Sequence, residues 1–349
     1  MPGLDDRAVH RAPDPSDMLG IALSLSRQLR EGWRLGHAAP LAPSRGRPAH
    51  LVIVGMGGSA IGGDLLLAAV PDAGLPACVV REGRLPSYIG PQSLVVASSY
   101  SGDTDETLEA ATGALEAGAA MLGVTSGGRL AALLEDRGQT VVRVPGGLPP
   151  RASLGYLLGP VLAVLERRQL CPPCGGEVEE AGQVLDALAA ALGPDVPEED
   201  NSAKRLAARF LDRIPVVYAA SPEVEPAARR WKCQFNENSK TFAAWNVFPE
   251  AAHNEVVGWG APEPIIALLE MVVLYSGRET DRARRLIAAA RDAMPHPAHE
   301  VTGIGEGRLA RLLSLVLIGD LTSVYLAYLR GVDPTPVEAI AALKQRLRP

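Results

Sequence analysis

The chain has 349 residues, room for two domains of ordinary size, and 47% of them are apolar against 21% charged, the balance of a globular protein with large cores to bury. Its net charge of −6 argues against a dedicated nucleic-acid binder, because a phosphate backbone calls for a face rich in Lys and Arg. The opening "MPGLDDRAVHRAPDPSD" lacks a signal-type apolar core, and no later stretch gives ~18 uninterrupted apolar residues, so the expectation is a cytoplasmic protein with no membrane partner.

Asp17 to Trp33 has helical spacing. "HLVIVG" then reads as a strand running into a glycine turn, and "PACVVREG", "QSLVVASSYSGDT", "AAMLGVTSGG" and "TVVRVP" follow as four more strands. Between them lie Ala- and Leu-rich helical stretches such as Glu106 to Glu116. Strands alternating with helices predict an α/β fold with a doubly wound parallel sheet, which places ligands at the carboxyl ends of its strands.

"LPPRASLGYLLGPVLAVLERR" begins a helix, "CPPCGGEVEE" breaks it, and Glu177 to Leu192 is helical again. The acidic "GPDVPEEDNS" reads as a hinge. Beyond it come a helix from Ala203 to Asp212, strands in "IPVVYAAS", "AAWNVFPE" and part of "PIIALLEMVVLYS", and a long helix ending "LTSVYLAYLRG". The expected organisation is a first domain over 1–155, a helical connection over 156–200 and a second domain over 201–349. Each domain delivers a serine after a strand, Ser59 and Ser221, which points to a duplicated fold of two αβα subdomains.

Four cysteines occur, and Cys171 and Cys174 form C-P-P-C. A structural zinc would need a second pair or spaced histidines, so this segment reads as a proline turn with two incidental thiols; the other two cysteines are Cys78 and Cys233. His296 and His299 form H-P-A-H with no third ligand, and a flexible loop is expected there. No metal and no cofactor are expected.

The glycine turn admits two readings. Gly55, Gly57 and Ala60 fit the G-x-G-x-x-G/A dinucleotide pattern, with Glu82 where a ribose-binding acid would sit. Against it, Ser59 adds a hydroxyl to the turn, and the third strand ends in a second hydroxyl cluster, Ser98-Ser99-Tyr100-Ser101-Gly102-Asp103-Thr104, before a helix. Neutral donors at a helix N-terminus suit a phosphate monoester. The candidate phosphate ligands are Ser59, Ser99, Ser101 and Thr104, with Gly58 allowing close backbone approach.

"GMGGSAIGGDLL", "SSYSGDTDET", "NENSKTFAAWNVFPEAAHNEVVGW" and the ending "GDLTSVYLAYLRGVDPTPVEAIAALKQRL" resemble the sugar isomerase (SIS) fold, and more closely its bifunctional phosphoglucose/phosphomannose isomerases, from about Leu51 to Leu347. The resemblance implies an aldose–ketose isomerase converting glucose 6-phosphate and mannose 6-phosphate to fructose 6-phosphate through a cis-enediol, without a metal. Glucose and mannose 6-phosphates differ only at C2, which becomes planar in the enediolate, so one base serves both.

Glu237, between Asn236 and Asn238, is the candidate base: flanking amides can position the carboxylate, and the resemblance implies the same role. Glu250 is its competitor. His253 suits ring opening, since imidazole both gives and takes a proton near neutrality. The resemblance implies that the partner subunit of a homodimer supplies it. Arg151, after Pro149 and Pro150, can stabilise the enediolate. By resemblance, Lys344 enters the active site and Thr335 bears on the choice of C2 epimer. Lys240 is either a salt-bridge partner of Glu237 or a group that orients the site. Asp103 departs from the Asn of many relatives, and an acid beside a phosphate is unfavourable unless its side chain turns away as a cap. The rival readings are a phosphosugar-binding regulator without catalysis and a nicotinamide-dependent dehydrogenase.

Overall fold

The computed structural model describes residues 3–6, 13–43, 46–70, 74–294 and 297–346. The chain forms two compact units that interleave along the sequence. One consists of Ser24–Asp186 with Ile304–Ser314. The other takes the described residues up to Leu23, Ala187–Gly303 and the chain from Leu315. The sequence boundaries at 155 and 200 follow chain order, whereas polar ties carry the N-terminal residues into the second of these units. Lys204 Nζ donates to Asp5 Oδ1 at 3.1 Å, and Tyr328 OH to Asp14 Oδ2 at 2.7 Å.

In the first unit, α2 (Leu25–Ala38) leads to β1 (His50–Val54), α3 (Gly58–Ala69), β2 (Ala77–Val80), β3 (Ser93–Ser98), α4 (Asp105–Glu116), β4 (Ala120–Thr125), α5 (Gly128–Asp136) and β5 (Thr140–Arg143). The five expected strands are all present and all parallel, in the order β2-β1-β3-β4-β5. Helices cover both faces of the sheet, which is why its central strands read as unbroken apolar runs. On one face Val52, Val54, Val95, Ala97 and Met121 pack against Ala110, Ala111 and Ala114 of α4 and Leu130 and Leu134 of α5. The other face carries α3 and α6 (Leu154–Arg167). α6 crosses α2 backbone to backbone: a Cβ on Gly32 would stand 2.8 Å from Gly155 O, and one on Gly36 2.7 Å from Pro160 O. α7 (Gly175–Ala191) follows.

The expected N-terminal helix is in fact two, α1 (Met18–Leu23) and α2, broken at Ser24 and running on to Ala38. Ser24 binds locally, its hydroxyl accepting from Gln28 Nε2 at 3.0 Å, as serine commonly does where a helix starts.

The second unit repeats the winding. α8 (Ser202–Phe210), β6 (Ile214–Ala219), α9 (Glu225–Glu237), β7 (Ala244–Val247), α10 (Ala251–Gly258), α11 (Glu263–Ile266), β8 (Leu269–Tyr275), α12 (Asp281–Ala293) and β9 (Ala298–Thr302) build a parallel sheet in the order β7-β6-β8-β9. β9 corrects the loop expected around H-P-A-H. His299 lies in this edge strand with Nε2 2.6 Å from Glu270 Oε1 on β8, and His296 lies outside the described residues. Tyr218, Phe248, Trp259, Met271 and Ile287 pack one face of the sheet.

α13 (Arg308–Leu329) and α14 (Glu338–Arg346) complete the chain. Among the described residues α13 alone is long and apolar enough to cross a membrane, but 94% of that stretch is buried inside the protein. Asp320 on α13 takes Arg230 of α9 bidentately, at 2.9 and 2.6 Å, with both side chains almost fully buried. Gly319 leaves the space that the Trp231 indole fills, and Trp231 Nε1 donates to Leu315 O at 2.7 Å.

Candidate active site

The order of the first sheet reverses between β1 and β3, and both hydroxyl loops leave the carboxyl ends of those two strands. That crevice is where a doubly wound sheet takes its ligand. The loops are in contact at Gly55, where a Cβ would stand 2.9 Å from Ser98 O and 3.1 Å from Ser59 Cβ. Gly57 turns the chain into α3 at φ +52°, and Ser59 in the first turn is buried. In the second loop the buried Ser99 hydroxyl donates to Thr104 Oγ1 at 3.0 Å and accepts from Gly102 N at 3.2 Å. Ser101 is exposed, and its oxygen accepts from Asp103 N at 3.3 Å. Thr104 is the N-cap residue of α4, yet its side chain makes no capping bond. Two helix N-termini therefore open beside these hydroxyls, an arrangement suited to an anion.

Asp103 does turn away as a cap. Its Oδ1 accepts from Arg129 N at 3.0 Å and Arg129 Nε at 3.3 Å, closing the first turn of α5, while Arg129 Nη2 also takes Asp105 at 2.7 Å. One guanidinium thus offsets the two acids flanking the loop.

Arg151 sits in a short 3₁₀ turn, Pro150–Ala152, and is buried. A Cβ on Gly58 would stand 3.1 Å from Arg151 Cα and 3.3 Å from Pro150 O, so the glycine lets the arginine's backbone lie against the start of α3. The turn is held from behind: Gln28 Nε2 donates to Ala152 O at 2.9 Å, and Ser153 Oγ to Pro150 O at 2.8 Å.

In the second unit Glu237 is the last residue of α9 and half-buried. It lines an open cavity of about 610 Å³ with Asn236, Lys240, Asp333, Pro336 and Val337. Asn238 is tied down through Nδ2 to Ser323 Oγ at 2.9 Å, and Ser239 Oγ donates to Phe235 O at 2.9 Å. Lys240, at φ +54°, donates from Nζ to the carbonyls of Glu237, Pro334 (3.2 Å) and Pro336 (2.7 Å). It thereby fastens the segment carrying Thr335 beside Glu237, and Thr335 N donates to Asp333 Oδ1 at 2.8 Å. Lys344 belongs to α14, but its side chain lies outside the described residues.

His253 is elsewhere in this unit. It lies exposed on α10, and Glu250 just precedes that helix, 3.4 Å from Asn254 Nδ2. α9 ends ahead of β7 and α10 starts after it, so Glu237 and His253 stand toward opposite ends of that strand. Four residues of β7 span about 13 Å. α10 is anchored by a residue that the sequence reading passed over. Glu255 accepts from Tyr218 OH and from Asn246 Nδ2 (2.5 Å), and Tyr218 OH in turn accepts from Trp259 Nε1 at 3.0 Å. Its only signal in the sequence was its place inside the quoted H-N-E-V-V-G-W stretch.

Among the described residues no group of three His, Cys, Asp or Glu is arranged to hold a metal ion. Glu82 is exposed just past β2.

Residues 199–347 match the family model described as the bacterial phospho-glucose isomerase C-terminal SIS domain. A bifunctional phosphoglucose/phosphomannose isomerase of Caldicellulosiruptor bescii is 39% identical over 95% of this chain and 98% of its own length. The chain belongs to the bifunctional phosphoglucose/phosphomannose isomerase family. A further member of the family, from Thermoplasma acidophilum, is 32% identical over 86% of this chain and 90% of its own. Among solved structures, a hypothetical protein of Thermus thermophilus superposes with a TM-score of 0.74 at 19% identity, over 98% of this chain and 93% of its own. At that identity the likeness shows the fold alone, and family membership displaces the dehydrogenase reading of the Gly55 turn.

Proposed function

We propose that the protein interconverts glucose 6-phosphate and mannose 6-phosphate with fructose 6-phosphate. The observation that carries the reading is the meeting of the Ser59 and Ser99–Thr104 loops at the switch point of the first sheet, with the Arg151 backbone seated against Gly58. Hydroxyls and helix N-termini take the phosphate through Ser59, Ser99, Ser101 and Thr104. His253 protonates the ring oxygen and removes the proton from the anomeric hydroxyl, opening the sugar. Glu237 removes the C2 proton to give the enediolate and returns it to C1, while the O2 hydroxyl loses a proton and O1 gains one, forming the ketose. Arg151, positively charged throughout, stabilises the enediolate oxygens. Lys344 and Thr335 act at the same site from the C-terminal segment.

Within one unit Glu237 and His253 stand toward opposite ends of β7, which supports a reading in which a second copy brings His253 to the substrate. The surface around it supports this: Val257, one helical turn along α10 from His253, is 83% exposed. The active form in this reading is a homodimer.

The test is a coupled assay of the purified protein on both aldose phosphates, beside Glu237→Gln. Turnover of both, falling about 10²- to 10⁴-fold in the variant at little changed KM, is the expected result. Phosphosugar binding without turnover in the parent protein would leave the regulator reading instead.

A further inference from the structure

The C-P-P-C segment takes no part in the chemistry above, yet it is built as a pair. Cys171 and Cys174 are free thiols in the turn between α6 and α7, separated by two prolines that restrict its backbone. Cys171 is half-exposed, whereas Cys174 is 6% exposed and immediately precedes α7, its carbonyl accepting from Val178 N at 3.0 Å. Glu166, near the end of α6, holds the second cysteine in place. Its Oε2 accepts from Cys174 N at 2.5 Å and Gly175 N at 3.3 Å, and its Oε1 lies 3.7 Å from His37 Nε2. The two thiols stand three residues apart in one turn and perturb each other's ionisation.

That interaction divides the work between the sulfurs. The interaction with the Cys174 side chain holds the Cys171 thiol below its ordinary range, against the opposing effects of burial and the Glu166 charge. The same interaction, with burial, pushes the Cys174 thiol up. An accessible thiol that ionises first, backed by a buried one three residues on in the same turn, is the division that thiol–disulfide exchange requires.

We infer that Cys171 and Cys174 form a redox modification site, in which Cys171 attacks a low-molecular-weight disulfide and Cys174 resolves the adduct. The Cys171 thiolate attacks one sulfur of oxidised glutathione, and one glutathione leaves and takes up a proton. Cys174 then gives its proton to solvent and attacks Cys171 Sγ, so the second glutathione leaves as a thiol. Two protein thiols are oxidised to one disulfide, and one glutathione disulfide is reduced to two thiols. The bond closes within the turn between α6 and α7. Cys78, whose sulfur meets Tyr88 OH at 3.3 Å, and Cys233, on α9, stand apart from this pair.

The full-length reduced protein is equilibrated in buffers of rising oxidised-to-reduced glutathione ratio, trapped with an alkylating reagent and mapped by peptide mass. The expected result is the joint loss of the Cys171 and Cys174 thiols, with two hydrogens lost from the peptide that holds both, before Cys78 or Cys233 reacts. In Cys174→Ser, one glutathione accumulates on Cys171, and Cys171→Ser takes up less on Cys174. Four thiols still open to alkylation at the most oxidising ratio would overturn the inference. So would glutathione appearing first on Cys78 or Cys233, or equal trapping in the two variants. The unsubstituted protein decides whether the bond forms, whatever the stability of the variants.

Discussion

Gly58 and Arg151 are in backbone contact: a Cβ on the glycine would stand 3.1 Å from the arginine's Cα. The glycine that starts α3 beside Ser59 and the arginine proposed to hold the enediolate are therefore set by one packing constraint. Gly58→Ala must displace one of two braced backbones, because Gln28 and Ser153 fix the arginine's turn. The expected outcome is a loss of about tenfold in kcat/KM on both substrates, since small misplacements of a charged group are costly. The accompanying loss of stability is about 1 kcal/mol. Steady-state kinetics beside a thermal melt check this, and unchanged kinetics would show that the constraint does not reach the site.

The placement of Glu237 and His253 toward opposite ends of β7 makes a mixing experiment decisive. Glu237→Gln and His253→Asn are each expected to be nearly inactive alone. After unfolding and refolding together, random pairing makes about half the dimers mixed, and each mixed dimer keeps one intact site. About a quarter of the parental activity returns if the histidine crosses between copies. No recovery, from a mixture shown to contain mixed dimers, would place both residues in one subunit's site.

Asp103 is committed to α5 and Arg129, not to the serine loop. Asp103→Asn keeps an oxygen for Arg129 N and gives up an ion pair whose side chains are both more than half exposed. The expected change in KM is under about twofold, with a stability loss below about 1 kcal/mol. A clear fall in KM for both sugar phosphates would mean that the carboxylate repels the bound phosphate after all.

The Arg230–Asp320 pair joins α9, which ends in Glu237, to α13. Asp320→Ala strands a buried guanidinium and is expected to cost about 3–5 kcal/mol in denaturant unfolding. The double variant Arg230→Met with Asp320→Leu is expected to cost less, because it removes the stranded charge along with its partner. Equal midpoints for single and double variants would show that the pair is not acting as a unit.

Eight of the nine described strands were legible in the sequence because they are apolar runs bounded by Gly, Pro or polar turns. β9 was not: "AHEVT" is an edge strand, mostly half-buried or exposed, and the histidine that looked like a loop residue faces Glu270 on the neighbouring strand. The break at Ser24 was also hidden, since apolar spacing continues across it. The hydroxyl loops could be found because glycine and serine clusters between strand and helix are visible in one dimension. Glu255 could not, because it lies on a helix and its partners Tyr218 and Asn246 come from two separate strands.

The sequence alone determined the alternation of strand and helix, the two phosphate-type loops, the charged candidates and the family resemblance, all of which rest on local pattern or on short motifs. Tertiary structure alone decided which neighbours those residues have. It turned Asp103 toward α5, seated Arg151 on Gly58, used Lys240 to hold the Thr335 segment beside Glu237 and put His253 toward the other end of β7 from Glu237. The physical reason is that each of these depends on strand order and on contacts between residues far apart in the chain. Only packing the helices onto the sheet brings such residues together.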